Sequence, residues 1–197
     1  MEKLAVIGWG NPGPEYQKSR HNLGFWLIDA LAEQESLTFK QNKQFHAEVS
    51  QMQRDGRSFL LVKPMSYMNE SGKFLPSLLS YFDCEPSDSI VVHDEMALAL
   101  GHVKISQNKG AGGHNGVKSI ISSIGSSFVR FRVGIGAKPY PEVKLADFVL
   151  SKLNKQEWSF LQTSKDRLCK SLLHLLDHGV DATMNLVNQT NRNPEPI

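Results

Sequence analysis

The chain opens on an apolar run, residues 3–9, in which Leu4, Ala5, Val6 and Ile7 follow one another without polar interruption. A strand with one wet face would alternate, so this pattern predicts a strand covered on both faces. A loop rich in Gly and Pro follows, Gly10-Asn11-Pro12-Gly13-Pro14. From Asn22 the apolar positions Phe25, Trp26, Ile28, Ala30 and Leu31 give way to Glu33-Gln34-Glu35, the pattern of an amphipathic helix that a side-chain oxygen of Asn22 would cap. Residues 45–52 and 58–62 read as strands joined by the turn Arg54-Asp55-Gly56-Arg57, hence a hairpin.

Further along, residues 71–81 carry Phe74, Leu75, Leu78 and Leu79 at helical spacing, with Pro76 either in the first turns or at a bend. Residues 89–93 predict a second buried strand, which runs into Asp94-Glu95. A short strand over 102–106, a helix over 116–124 and a Gly-containing strand over 131–136 follow. From Asn154 the residues Trp158, Leu161, Leu168, Leu172, Leu175 and Leu176 keep mostly helical spacing until Gly179. The Asn-, Pro- and Glu-rich residues 188–197 read as a disordered tail, which leaves one domain over residues 1–187. Strands alternating with helices around an early hairpin predict a single α/β domain, a mixed sheet covered by helices on both faces.

Composition narrows the class without changing this picture. A chain of 197 residues that is 40% hydrophobic and 21% charged, with 15 Gly and 9 Pro, is neither disordered nor collagen-like. It has no apolar run near the roughly 18 residues of a spanning helix and no signal-peptide pattern, so we expect a cytoplasmic protein without membrane contact, and by default a monomer. Cys84 and Cys169 lie far apart with no CxxC or Cys/His spacing, which predicts buried free thiols rather than a disulfide or a zinc site.

The net charge of +2 conceals an asymmetry. Between residues 102 and 144 stand Lys104, Lys109, Lys118, Arg130, Arg132, Lys138 and Lys144 against the single acid Glu142, so this segment carries +6 and the remainder −4. Such a stretch is either a basic surface dispersed over several faces or the footprint of a phosphate-rich partner, whose binding releases counterions.

Gly8-Trp9-Gly10-Asn11-Pro12-Gly13 matches the G-x-G-x-x-G of dinucleotide-binding loops, but its context fails. The third glycine lies between Pro12 and Pro14 instead of opening a helix, and Asp29 falls inside a helical stretch instead of ending a second strand. The glycines instead shape a tight turn that holds Asn11 at the C-terminal end of the first strand, where open α/β sheets place their ligands.

Two other segments converge on the same sheet edge. Ser19-Arg20-His21-Asn22 puts a histidine just before a helix, and Asp94 closes a later strand. A carboxylate accepting a hydrogen bond from one imidazole nitrogen fixes the tautomer and favours proton uptake at the other. With G-x-S-x-G absent and no signature around either cysteine, water is the simplest nucleophile for such a pair. Asn11, Asn69 and Asn115 each lie beside glycine or at a helix start. Singly such residues are caps or turn formers; together with a His and an Asp they can supply neutral donors to a carbonyl or a developing oxyanion. HExxH and paired-ligand spacings are absent, so no metal is expected.

Taken in order, Gly10-Asn11-Pro12-Gly13, Tyr16, Ser19-Arg20-His21-Asn22-x-Gly24, Tyr67-Met68-Asn69-x-Ser71-Gly72, His93-Asp94-Glu95, Gly112-Gly113-His114-Asn115-Gly116-Val117-Lys118 and Arg132-Val133-Gly134-Ile135-Gly136 give the chain, over residues 3–188, a pattern that resembles bacterial peptidyl-tRNA hydrolases. The resemblance implies a single α/β domain with a twisted mixed sheet. It also implies hydrolysis of the ester between a peptide and the 3′ ribose of tRNA, recycling tRNA released prematurely from ribosomes, without cofactor. His21 is then the general base and Asp94 its support. Asn11 distinguishes N-blocked from free aminoacyl esters, Asn69 and Asn115 position the peptide and the reacting ester or water, and Tyr16, Tyr67 and Met68 line the site around the tRNA 3′ end. Lys104 and Arg132 become contacts for tRNA phosphates, the 5′ phosphate included.

Two departures from the family pattern stand out. Ser106 occupies a position that is commonly basic, and the run Asp94-Glu95-Met96-Ala97-Leu98-Ala99-Leu100-Gly101 lacks the later aspartate and the proline of the usual D-E-x-D-x-P-x-G. Ala97 removes a carboxylate, and Ala99 and Leu100 loosen a loop that proline would stiffen. The competing expectation is a non-catalytic RNA-binding relative of the same fold, which would have no need of a water-activating His/Asp pair.

Overall fold

The computed structural model describes residues 3–192. Seven strands form one mixed sheet: β1 (Lys3–Gly8), β2 (Lys40–Asn42), β3 (Ala47–Arg54), β4 (Arg57–Pro64), β5 (Ser89–Glu95), β6 (Val103–Gln107) and β7 (Val129–Gly134). Their spatial order is β2-β3-β4-β1-β5-β7-β6. The four central strands, β4, β1, β5 and β7, run parallel, while β3 lies antiparallel to β4 and β6 antiparallel to β7. Along β1 the side chains divide strictly. Ala5, Ile7 and the following Trp9 enter one core with Leu60, Val62 and Val91; Val6 enters the other with Leu61, Ile90 and Val92. Helices cover both sides, which is why the central strands read as unbroken apolar runs rather than alternating ones.

The core that takes Val6 is closed by α1 (Leu23–Gln34) and α5 (Lys155–Arg192), the core that takes Ala5, Ile7 and Trp9 by α2 (Leu75–Tyr81) and α3 (Asn115–Ile124), while α4 (Leu145–Leu150) lies beside the 3-10 turn that leads into α1. The chain passes from β1 through α1 and the β3–β4 hairpin to one side of β1, then crosses back through α2 to β5 on the other side. Strand order therefore reverses at β1, and the crevice beyond the C-terminal ends of β1, β4 and β5 is where such a sheet receives a ligand.

Several elements differ from the sequence pattern for identifiable reasons. The predicted helix over 71–81 is a 3-10 turn, Ser71–Phe74, followed by α2, with Pro76 in the first turn where a missing N–H costs nothing. Asn22 does not cap α1 with its side chain; a stronger partner claims it. The three-residue β2 and six-residue α4 are too short to leave a periodic signature. At Gly179 the helix α5 breaks, with φ 77°, and resumes to Arg192. Residues 188–192 are thus helical rather than part of a disordered tail; residues 193–197 lie outside the described residues. Asn191 explains part of this order, because its side-chain amide donates to the carbonyl of Val103 at 2.7 Å and accepts from the N–H of the same residue at 3.3 Å. Cys84 and Cys169 are buried free thiols, and burial pushes Cys169 up to about 11. No helix among the described residues is long and apolar enough to cross a membrane.

One close approach sets the site. Gly24, in the first turn of α1, packs on main-chain atoms of Trp9 and Val92, and a Cβ there would collide with the Trp9 nitrogen and with the carbonyl oxygens of both residues. Backbone cannot yield as a flexible side chain does, so Gly24→Ala should destabilise the fold by about 1–3 kcal/mol or more. Thermal melting checks this, with a drop in Tm as the expected outcome.

Candidate active site

The loops at the C-terminal strand ends enclose a cleft of about 560 Å³. Asn11 follows β1, His21 lies in the 3-10 turn leading into α1, Tyr67, Met68 and Asn69 follow β4, and Asp94 ends β5. His114 and Asn115 begin α3, and all of these residues line the cleft together with Tyr16. All five residues read from the sequence as chemical groups, and all three read as lining groups, are thus brought to one place.

At its floor lies a three-residue hydrogen-bonded unit. Asp94, 2% exposed, presents one oxygen, Oδ1, at 2.8 Å from His21 Nδ1 and at 2.9 Å from His114 Nε2. An ionised carboxylate only accepts, so both imidazoles donate to it. His21 gives Nδ1–H and keeps the Nε2 lone pair for the cleft. His114 gives Nε2–H, and its Nδ1 accepts from the N–H of Val117 at 3.2 Å as the N-cap of α3. The network thereby assigns a tautomer to each ring. Burial alone would push Asp94 up, but the adjacent His114 and His21, with the hydrogen bonds they donate, hold it below the ordinary carboxylate range. Ligand atoms of His21, Asp94 and His114 all lie within 4.8 Å of one another, as in a metal site. Two N–H donors on one carboxylate oxygen already account for that convergence.

Asn11 is held by three hydrogen bonds. Its main-chain N–H donates to Asn22 Oδ1 at 2.9 Å, and its carbonyl accepts from Asn22 Nδ2 at 2.8 Å. Its own Oδ1 accepts from the N–H of Met68 at 2.9 Å. With the oxygen so engaged, the side chain offers Nδ2, a neutral donor, to the cleft. This double clamp explains why Asn22 is not a helix cap. Asn69 and Asn115 are exposed, Tyr67 is 57% exposed and Met68 is buried.

Two contributions escape the sequence reading. His114 stands inside the quoted Gly112-Gly113-His114-Asn115 motif, yet its bond to Asp94 spans twenty residues and has no local signature. The second is an apolar wall from α4: Leu145, Ala146, Val149 and Leu150 face the cleft, and Leu145 and Leu150 remain about two-fifths exposed there (44% and 43%). Their spacing is helical, but the segment is only six residues long.

The basic residues lie elsewhere. Lys104 on β6 stands directly opposite Arg132 on β7, outside the cleft lining. Lys104 is exposed, whereas Arg132 donates from Nε and Nη2 to Glu95 Oε2 at 2.9 and 2.7 Å. Ser106 is buried opposite Arg130, whose Nη1 donates to the carbonyl of Gly110 at 2.8 Å. The sequence departure at Ser106 therefore points a small hydroxyl into the protein instead of a cation out of it.

Behind the site, His93 is fully enclosed and donates Nδ1–H to the carbonyl of Asp94 at 2.7 Å. Burial, then the neighbouring His114, lowers it from 6.5 to about 3. Below 6.5 the unfolded chain gains a proton there that the folded chain refuses, so stability falls as pH drops through that window. Asp94 contributes in the same direction but lower, its stabilisation being lost only as pH falls below the ordinary carboxylate value. Denaturant unfolding between pH 6 and 4 should show stability declining on the order of 1 kcal/mol per pH unit from His93 alone, and His93→Gln should flatten that slope.

Comparison with known proteins agrees with this geometry. Residues 5–195 match the family model described as peptidyl-tRNA hydrolase. Peptidyl-tRNA hydrolase of Rickettsia rickettsii is 38% identical over 182 residues, covering 92% of this chain and 98% of its own, and that of Rickettsia bellii is 35% identical over 178 residues, covering 90% and 96%. Among solved structures, peptidyl-tRNA hydrolase from Acinetobacter baumannii superposes with a TM-score of 0.86 at 32% identity, covering 94% of each chain. In sequence and in fold, the chain belongs to the peptidyl-tRNA hydrolase family.

Proposed function

We propose that this protein is a cytoplasmic, monomeric hydrolase that cleaves the ester between the peptide and the tRNA of peptidyl-tRNA, returning tRNA released prematurely from ribosomes, and that it does so with water and no metal. The observation that carries this is the free Nε2 of His21, aimed into the cleft because Asp94 occupies Nδ1 at 2.8 Å.

His21 Nε2 takes a proton from water as the oxygen attacks the ester carbonyl. The imidazolium that forms faces an Asp94 carboxylate already held ionised. Amide donors of Asn69 and Asn115 then meet the tetrahedral oxyanion, each such donor being worth about 10²–10³ in rate. When the intermediate collapses, the ribose oxygen leaves and recovers the proton from His21, giving free peptide and tRNA. His114 acts on this reaction only through Asp94, as a positioning residue. Asn11 Nδ2 favours a peptide carbonyl over a charged α-amine, which would have to shed its water against a neutral donor. The exposed ring of Tyr67 and that of Tyr16 suit the terminal base of the CCA end, over the apolar Met68, and Lys104 and Arg132 suit acceptor-stem phosphates.

With N-acetylaminoacyl-tRNA in EDTA, the wild-type protein should release tRNA steadily, and His21→Ala should slow this by about 10² or more while tRNA binding persists. Retained activity in the variant would remove His21 from the role, and tRNA binding without any cleavage by the wild type would point to a non-catalytic RNA-binding protein. Asn11→Ala should narrow the ratio of rates on N-blocked and free aminoacyl-tRNA; an unchanged ratio would locate that discrimination elsewhere.

A further inference from the structure

Arg132 is already occupied. Its guanidinium places Nε and Nη2 on a single oxygen of Glu95, at 2.9 and 2.7 Å, and both side chains are about four-fifths buried. The other Glu95 oxygen accepts from the N–H of Ala97 at 3.0 Å. Glu95 itself lines the catalytic cleft next to Asp94, as does Met96. One carboxylate thus joins a cation of the basic face to the loop that walls the cleft.

That loop is bound to the end of β7 by main-chain hydrogen bonds. Ile135 N–H donates to the Glu95 carbonyl at 3.1 Å, Gly136 N–H to that of Leu98 at 2.9 Å, and Gly101 N–H to that of Gly134 at 3.0 Å. Ala99 presses its carbonyl so closely on Gly134 that no Cβ would fit. Against the expectation that Ala99 and Leu100 loosen it, the main chain of the loop is tied to the end of β7 at three points, which leaves the Glu95 side chain as the link that can turn. Carboxylate and phosphate compete for the same planar fork of donors on an arginine. Lys104, directly across from Arg132 and exposed, adds the second positive charge a phosphate would need to displace a carboxylate.

We infer that Glu95 is an internal competitor for the phosphate site at Arg132, a specificity-determining residue that a tRNA phosphate displaces on binding. The inference rests on the peptidyl-tRNA reading and on Arg132 as a phosphate contact. Displacement turns Glu95 away from the guanidinium and from the N–H of Ala97, so phosphate arrival is felt beside Met96 on the cleft wall. Ligands without a phosphate at this position leave Glu95 in place and the Arg132 charge neutralised.

The test uses deacylated RNA minihelices ending in CCA, with and without a 5′ phosphate, titrated into wild type, Glu95→Gln, Arg132→Ala and the double variant, all checked for folding by circular dichroism. Glu95→Gln should tighten binding by about tenfold, and the gain should vanish in the Arg132→Ala background. A gain confined to the phosphorylated minihelix assigns the terminal phosphate; an equal gain on both assigns a backbone phosphate. If Arg132→Ala weakens binding but Glu95→Gln does not strengthen it, Arg132 reads phosphate and the competition is refuted. If Arg132→Ala changes neither affinity nor salt slope, the phosphate contact fails and the inference falls with it. Failure of the wild type to bind either minihelix would instead overturn the underlying tRNA reading.

Discussion

A buried carboxylate oxygen that receives two imidazole donors constrains everything around it. Asp94 Oδ1 lies at the end of β5, reached by His21 from the start of α1 and by His114 from the start of α3. These helices belong to the two cores on opposite faces of the sheet. The bond pair therefore ties both layers to one strand end, and each helix must enter at the angle that brings its ring to that oxygen. Gly24 supplies the close packing of α1 on Trp9 and Val92 that permits this on one side. On the other, Gly116 sits against the indole of Trp9 with no space for a side chain. Positions that look like packing details are in this sense part of the geometry of the cleft.

What the sequence made legible follows the range of each interaction. Strands β1 and β5 announce themselves because they are covered on both faces and read as apolar runs. The β3–β4 hairpin was marked by Asp55-Gly56, both of which take positive φ. His21, Asp94 and the three asparagines could be placed at element ends from local pattern alone, and they do share one cleft. Hidden from such reasoning were partnerships set by the tertiary fold. Asn22 looks like a helix cap locally, but the main chain of Asn11 offers it a donor and an acceptor at once, and that double hydrogen bond wins. His114 and Glu95 were visible as letters in motifs, while their roles depend on Asp94 and Arg132, twenty and thirty-seven positions away.

The charge asymmetry of the sequence acquires a more specific meaning in the fold. Of the basic residues between 102 and 144, Arg130 turns inward to hold the Gly110 carbonyl and Arg132 is matched by Glu95, while Lys104, Lys109 and Lys118 stand exposed. A segment that sums to +6 therefore does not present six equivalent charges. Some cations brace the loops that carry the site, and others face solvent, so the formal count overstates the attractive surface while understating its role in shaping the cleft.

Asn191 gives the far end of the chain a function that its composition conceals. Strand β6 is the rim of the sheet, and an exposed rim offers unpaired peptide groups to any extended chain that drifts past. By answering both the N–H and the carbonyl of Val103, one asparagine imitates the strand that is missing there. The last turns of α5 thus serve as a selvedge, finishing the edge of the fabric so that it does not stitch itself to its neighbours. That finish lies at the cleft's own end of the sheet, since Val103 pairs with Val133 and Val133 with Asp94, so closing the rim also secures the strand ends beside the site.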